Sequence, residues 1–179
     1  MIETDRLILR AWRDADRAPF HAMGNDPQVM EYLGPFQTRA ETDAAIDRQN
    51  GGIARLGHGF WAVERRADGA FLGFCGIKQG PDATPIQGEI EIGWRLATTF
   101  WGQGYAREAA QASLDWGWEH LDVPGIAAIT TVNNVRSAGL MERLGMARAH
   151  GDDFEHPNVP LGSPLRPHVT YRITRPSAR

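Results

Sequence analysis

The chain has 179 residues, 42% hydrophobic and 23% charged, which is the composition of one ordered domain, residues 1–179, with a sizeable core. A formal charge of −3 with no basic block argues against a nucleic-acid partner. The single cysteine, Cys75, excludes an internal disulfide, the charged N-terminus MIETDRLILR lacks an apolar leader, and no run reaches membrane-spanning length, so a cytoplasmic protein without a membrane partner is expected. Residues Ile2 to Trp12 read as a first strand, with Leu7 and Leu9 facing one way and Arg6, Ile8 and Arg10 the other. Arg13 to Met23 reads as a short helix, interrupted by Asn25-Asp26-Pro27. Thr38-Arg39-Ala40-Glu41 is a capping box that opens a helix to about Leu56, ended by Gly57 and Gly59. Phe60–Arg65 and Ala70–Lys78 form two strands around Asp68-Gly69, and the Gly- and Pro-containing stretch from Gln79 to Gln87 is a loop.

The stretch from Glu89 to Leu121 organises the rest. Ile90, Ile92, Trp94 and Leu96 alternate with Glu89, Glu91, Gly93 and Arg95, the period of a strand. After Trp101-Gly102-Gln103-Gly104-Tyr105-Ala106 the period changes. Ala106, Ala110, Leu114, Trp118 and Leu121 then mark one face of a helix from about Gly104 to His120. The first amides of a helix lack intrahelical partners and sit at the positive end of its dipole, so this junction suits a phosphate. Gly102 and Gly104 allow close backbone approach, and the small Ala106 keeps the first turn clear. No P-loop pattern is present, and Arg107 stands where a dinucleotide fingerprint needs glycine or alanine.

Ile126 to Val132 is a β-branched run that reads as a central strand, parallel to its predecessor because a helix connects the two. Asn134 caps a short helix to Gly145, with Ala138, Met141 and Leu144 on its buried stripe. Met146–Phe154 and His168–Thr174 read as the last strands, separated by a loop with four prolines in which His156 faces a candidate acceptor site. An exposed edge on the final strand would let two copies pair as a homodimer. The six histidines show no metal-ligand spacing, so no metal is expected, and Cys75 in FLGFCGI reads as a core residue.

Two strings together resemble a known family. EIGWRL followed by WGQGYAREA is similar to the acetyl-coenzyme A signature Gln/Arg-x-x-Gly-x-Gly/Ala of the Gcn5-related N-acetyltransferases (GNAT), with Trp101 in the first position, Gly104 in the glycine position and Ala106 in the last. Trp101 in place of Gln or Arg resembles the RimJ/RimL-like branch of ribosomal-protein N-terminal acetyltransferases, as does ETDRLILRAW. Asn134 through Ser137, then Glu142-Arg143-Leu144-Gly145-Met146, resembles the family's second motif.

The resemblance implies a mixed, mostly antiparallel α/β sheet of about seven strands with about four helices. In that fold a central parallel pair splays to admit acetyl-CoA. It implies acetyl transfer to a primary amine by direct attack in a ternary complex. The first acceptor class is a protein N-terminal α-amine; the alternatives are a small-molecule amine, such as a metabolite or antibiotic, and a non-catalytic CoA-binding module. Leu96, Ala97, Trp101, Gly102, Gln103, Gly104, Tyr105, Ala106 and Asn134 are the implied cofactor-binding residues, with backbone groups of Arg95 to Ala97 meeting the pantetheine. Glu91 is the first choice of general base, Glu89 the second on the same face, and a β-bulge decides which points inward. Both otherwise face solvent or pair with arginines. The family's tyrosine after the Asn motif is missing, which leaves Ser137 as the nearest hydroxyl for a general acid or as a plain first-turn serine.

Overall fold

In the computed structural model, which describes residues 1–176, the chain builds one open sheet of nine strands. The longer strands are β2 (Leu7–Arg10), β3 (Phe60–Arg65), β4 (Phe71–Gln79), β5 (Ile90–Leu96), β6 (Gly125–Thr131) and β9 (Pro167–Thr174). Three strands of two residues, β1 (Ile2–Glu3), β7 (Ala147–Arg148) and β8 (Phe154–Glu155), raise the count above the seven expected. Among the described residues there are five α-helices rather than four: α1 (Arg17–Met23), α2 (Pro27–Met30), α3 (Arg39–Leu56), α4 (Tyr105–His120) and α5 (Val135–Arg143). The sheet order is β1-β2-β3-β4-β5-β6-β9-β7, with β8 also on β9. All pairs are antiparallel except β5 and β6, which are parallel as a helical crossover requires.

The alternation in β5 separates two cores. Ile90, Ile92 and Leu96 join Leu7, Leu9, Trp61, Ile77 and Ile126 against Ala109, Ala110 and Leu114 of α4. On the opposite face Trp12, Phe20, Met23, Val29, Met30, Ile46 and Ala62 form a second cluster under α1 to α3. α3 starts as its sequence demands: the Thr38 hydroxyl accepts from the Glu41 N–H at 3.3 Å, and the Glu41 carboxylate accepts from the Thr38 N–H at 2.7 Å. Gly57, at φ +77°, ends it in a left-handed cap.

Four expectations are corrected. The first strand is two, because Thr4 turns the chain and its Oγ1 accepts from the Leu7 N–H at 3.0 Å. Met146–Phe154 is not one strand, since a 3-10 turn at His150–Asp152 separates β7 from β8 and is held by Thr170 Oγ1 donating to the Asp152 carbonyl at 2.9 Å. The last strand is not an edge: β6 flanks one side of β9, and β7 and β8 the other, which removes the edge on which a homodimer was expected. The bulge lies not in β5 but in β4, where the register against β3 shifts between Val63 and Glu64, so β5 alternates regularly throughout.

Candidate active site

Two hydrogen bonds set the phase of β5. Gly80 N–H donates to the Glu89 carbonyl and Ala97 N–H to the Leu72 carbonyl, each at 2.9 Å. Odd-numbered residues of β5 therefore bond β4, while Ile92, Trp94 and Leu96 turn their backbone groups toward β6. Yet β6 pairs with β5 only at Ile90–Ile126 and Glu91–Ala127. Beyond that point β6 follows β9, the parallel strands part, and a cavity of about 800 Å³ opens between them. The splay expected between the strands of Leu96 and Thr131 is present. Ala97 does not face it: its N–H is bound to Leu72, and the residue lies outside the cavity wall. Leu96 does line the cavity, with its carbonyl accepting from the Trp101 indole at 2.8 Å. That bond ties the glycine loop back to the end of the strand.

At the far end of the cavity α4 begins. Gly102 and Gly104 adopt φ of +72° and +82°, a conformation glycine takes without strain. Among the described residues, the N–H groups from Gly102 through Arg107 meet no acceptor; the first bond of this turn is Glu108 N–H to the Gly104 carbonyl at 3.1 Å. A run of outward-facing amides at a helix N-terminus is an anion cradle, and its backbone fits a pyrophosphate. Gly102, Gly104, Tyr105 and Ala106 line the cavity, but Gln103 does not, since its side-chain amide donates to the Thr99 carbonyl at 3.0 Å. Tyr105 contributes backbone, because its ring packs under the Arg6 guanidinium at 4.6 Å. Arg6 also donates to the Gln103 carbonyl at 3.0 Å and pairs with Glu108 at 2.6 Å, bracing the loop from the turn before β2.

From the other wall, Asn134 Oδ1 accepts from the Ser137 N–H at 3.2 Å and caps α5, and both residues line the cavity. The cap uses only the oxygen, so Nδ2 has no partner among the described residues. Besides Arg95, three arginines that lie within the motif strings but were given no role there line the wall: Arg107, Arg136 and Arg143. Arg136 bridges the cavity mouth, pairing with Glu31 at 2.7 Å and lying 4.8 Å from the Trp101 ring. A basic residue in the first turn of each helix is the signal that would have found the first two.

Glu91, Gly93 and Arg95 face away from α4, toward Phe60 and Phe74. Gly93 is needed there, because a Cβ would lie 2.8 Å from the Phe60 ring. Glu91 lines the cavity, is 12% exposed, and accepts from Lys78 Nζ at 2.7 Å. Glu89 lies outside the wall, in a two-pronged pair with Arg172 at 2.8 and 2.9 Å, and Arg172 also binds Asp152. Arg95 lines the cavity with its guanidinium 5.4 Å from the Phe74 ring, and its Nε is buried without a partner. Burial lowers its pKa to about 10, so it stays cationic at neutral pH. His156 is not in this wall and packs against His168 with ring centroids 4.8 Å apart. Burial pushes the Cys75 thiol up to about 12, which leaves it inert. Among the described residues no group of three His, Cys, Asp or Glu side chains gathers as metal ligands would, and no helix is long and apolar enough to cross a membrane.

The chain has clear relatives. Residues 6–147 match the family described as Acetyltransferase (GNAT) domain. The uncharacterized protein YkkB of Bacillus subtilis is 35% identical over 144 residues, which span 80% of this chain and 83% of that one. A spermidine N-acetyltransferase from Vibrio cholerae, solved with CoA and spermine, superposes with a TM-score of 0.73 at 18% identity, covering 96% of this chain and 97% of its own. RimL, a ribosomal L7/L12 α-N-protein acetyltransferase solved with CoA, gives 0.75 at 16% identity over 96% and 95% of the two chains. The parted parallel strands, the glycine-started helix and these matches lead to one conclusion: the chain belongs to the GNAT acetyltransferase family, enzymes whose acetyl donor is acetyl-CoA.

Proposed function

We propose that this chain moves the acetyl group of acetyl-CoA to a primary amine by direct attack in a ternary complex. One observation carries the reading: a single gap in the sheet runs from the unpartnered amides of Gly102–Arg107 to the Glu91 carboxylate. The amides, with Arg107 and Arg143 nearby, would hold the phosphates of the donor. The free N–H groups of Trp94 and Leu96 would bond the pantetheine and receive charge developing on the thioester oxygen. Asn134 Nδ2 would meet the donor from the α5 side.

The acceptor nitrogen must be neutral before it attacks. An α-amino group titrates near ~8 and a lysine near ~10.4, so an α-amine keeps about 3 kcal/mol more of its neutral form available. An α-amine therefore needs only a weak base, and Glu91 is the carboxylate in the wall. The nitrogen attacks the thioester carbonyl and loses a proton toward Glu91. The C–S bond then breaks, and the thiolate takes a proton, which the Ser137 hydroxyl in the wall would supply. Glu89, engaged by Arg172, would serve the sheet rather than the reaction.

Relatives of the same fold act on a polyamine and on a protein N-terminus, so the fold alone leaves the acceptor open, and the RimL-like branch rests on the Trp101 motif. Radiolabelled acetyl-CoA incubated with a cell extract separates the classes. Label on protein that disappears when N-termini are blocked beforehand identifies a protein acceptor; label in the small-molecule fraction identifies a free amine. No label in either, with acetyl-CoA still bound, overturns the enzyme reading in favour of a CoA-binding module. Glu91→Gln should lower turnover by roughly a hundredfold or more, most strongly at low pH, with acetyl-CoA affinity near that of the parent. Superimposable pH–rate profiles would remove Glu91 as the base.

A further inference from the structure

A guanidinium taken out of water is ordinarily met by a counter-charge. Arg10, buried in the same sheet, pairs with Asp16 and Glu64 at 2.7 Å each, whereas Arg95 is half-buried with its Nε cut off from solvent. Arg95 makes no ion pair and no hydrogen bond among the described residues. No acid acts on it, and desolvation is the only influence on its titration. A buried cation without a counter-charge is unfavourable unless something supplies one. The protein itself does not. The Glu91 carboxylate sits four residues back along the same face, roughly 13 Å at strand rise, and is already neutralised by Lys78.

The donor is poorly placed to be that counter-charge. Arg95 projects from the face of β5 opposite α4, whereas the anion cradle is the N-terminus of α4. The guanidinium instead opens on the part of the cavity walled by Phe60, Phe74 and Val29, on the same face of β5 as Glu91. With Lys78 and Glu91 cancelling, this half of the cavity carries one net positive charge. It repels a polyamine and fits a single negative charge presented in a plane, which a guanidinium fork binds through two parallel hydrogen bonds.

We propose that Arg95 recognises the acceptor, and that the acceptor is a small amine carrying a carboxylate, with the acid held by Arg95 and the amine delivered toward Glu91. A carboxylate is favoured over a phosphate because one negative charge balances one guanidinium. The inference rests on the acetyltransferase reading above and names its substrate class. Arg95 would thus be a specificity-determining residue of the acceptor site, which motif reading passes over because the family signatures flank it.

The test compares each amino acid with its own decarboxylated amine: phenylalanine with phenethylamine, leucine with isopentylamine, 4-aminobutyrate with propylamine. Acetyl transfer is followed by release of free CoA thiol. The expected result is a kcat/KM at least tenfold higher for the acids. Arg95→Met should erase that ratio by raising KM for the acids only, and Arg95→Lys should keep part of it. Acetyl-CoA affinity, measured by calorimetry, should stay within twofold in both variants. In parallel, with CoA present, the carboxylic acids should raise the thermal midpoint of the parent more than their amides do, and this difference should vanish in Arg95→Met. Equal use of acids and amines, an unchanged ratio in Arg95→Met, or a loss of acetyl-CoA binding in that variant overturns the inference. If no compound is acetylated, equal midpoints with acids and amides overturn it as well. Failure of the parent to bind acetyl-CoA would instead strike the acetyltransferase reading, whereas transfer without preference for acids leaves that reading standing.

Discussion

Half-buried Arg95 and buried Arg10 show two treatments of a desolvated guanidinium within one sheet, and stability measurements separate them. Burial lowers the native pKa of Arg95 to about 10, below its ordinary value, so the folded state binds its proton less tightly than the unfolded state does. The penalty is therefore full below about 10 and is relieved as pH rises from there toward the unfolded value. Its size is about 3 kcal/mol in the direction of unfolding. Arg95→Met, which keeps the length of the side chain and removes the charge, should raise the stability of the free protein at neutral pH by roughly 1–3 kcal/mol, read from urea midpoints. Arg10→Met should do the reverse, costing about 3–5 kcal/mol, because Asp16 would be left a buried carboxylate without a counter-charge and Glu64 with Arg13 alone. A binding residue retained against stability gains on removal; a structural one loses. If Arg95→Met proves less stable than the parent, some group of the protein already compensates the charge.

The helix start at Gly104 can be tested in the same comparative way. Gly104 and Gly57 share a left-handed conformation, φ +82° and +77°, and neither would place a Cβ in serious conflict. Valine at either site therefore meets the same backbone strain, about 1–3 kcal/mol for a β-branched residue. Gly57→Val and Gly104→Val should lose similar amounts of thermal stability. Only Gly104→Val should weaken acetyl-CoA binding, by tenfold or more in calorimetry, because its side chain stands over the amides of the α4 first turn. Equal affinities in the two variants would remove the phosphate role from this turn.

These elements were legible because their signals are local. The Thr38–Glu41 box, the glycines before Tyr105, and Asn134 each fix a helix end through a hydrogen bond or dihedral that neighbouring residues provide. β7 and β8 were not legible, since two-residue strands exist only where β9 offers a register. The roles of Glu89 and Glu91 were not separable either. Alternation puts both on one face, and only the fold brings Arg172 to one and Lys78 to the other. The lack of an acid near Arg95 is likewise a property of distant chain segments that no spacing in the strand reveals.

At the scale of the whole molecule, the sheet is two pieces joined at a narrow seam. β1 to β5 form one antiparallel block, β6 to β9 the other, and the direct strand pairing between them is confined to Ile90–Ile126 and Glu91–Ala127. The α4 crossover and the shared core carry the rest of the connection. A donor lying in the gap would touch Trp94 and Leu96 on one side and Ile129 and Asn134 on the other, replacing the missing strand pairing with its own hydrogen bonds. Binding to the native state alone stabilises by RT ln(1 + [L]/Kd), about 2.7 kcal/mol at a hundredfold excess over Kd. In a chain of this size that corresponds to a rise in thermal midpoint of roughly 5–10 °C. The distribution of the effect is the sharper test. Amides of Trp94 and Leu96, open in the free protein, should exchange slowly with CoA bound, as should those at the start of α4, while the β2–β3–β4 ladder, already paired, gains little beyond the global shift. Exchange measured residue by residue with and without CoA decides this. Uniform protection would show that the ligand acts only through global stability, and the seam would then be closed by packing rather than by the donor.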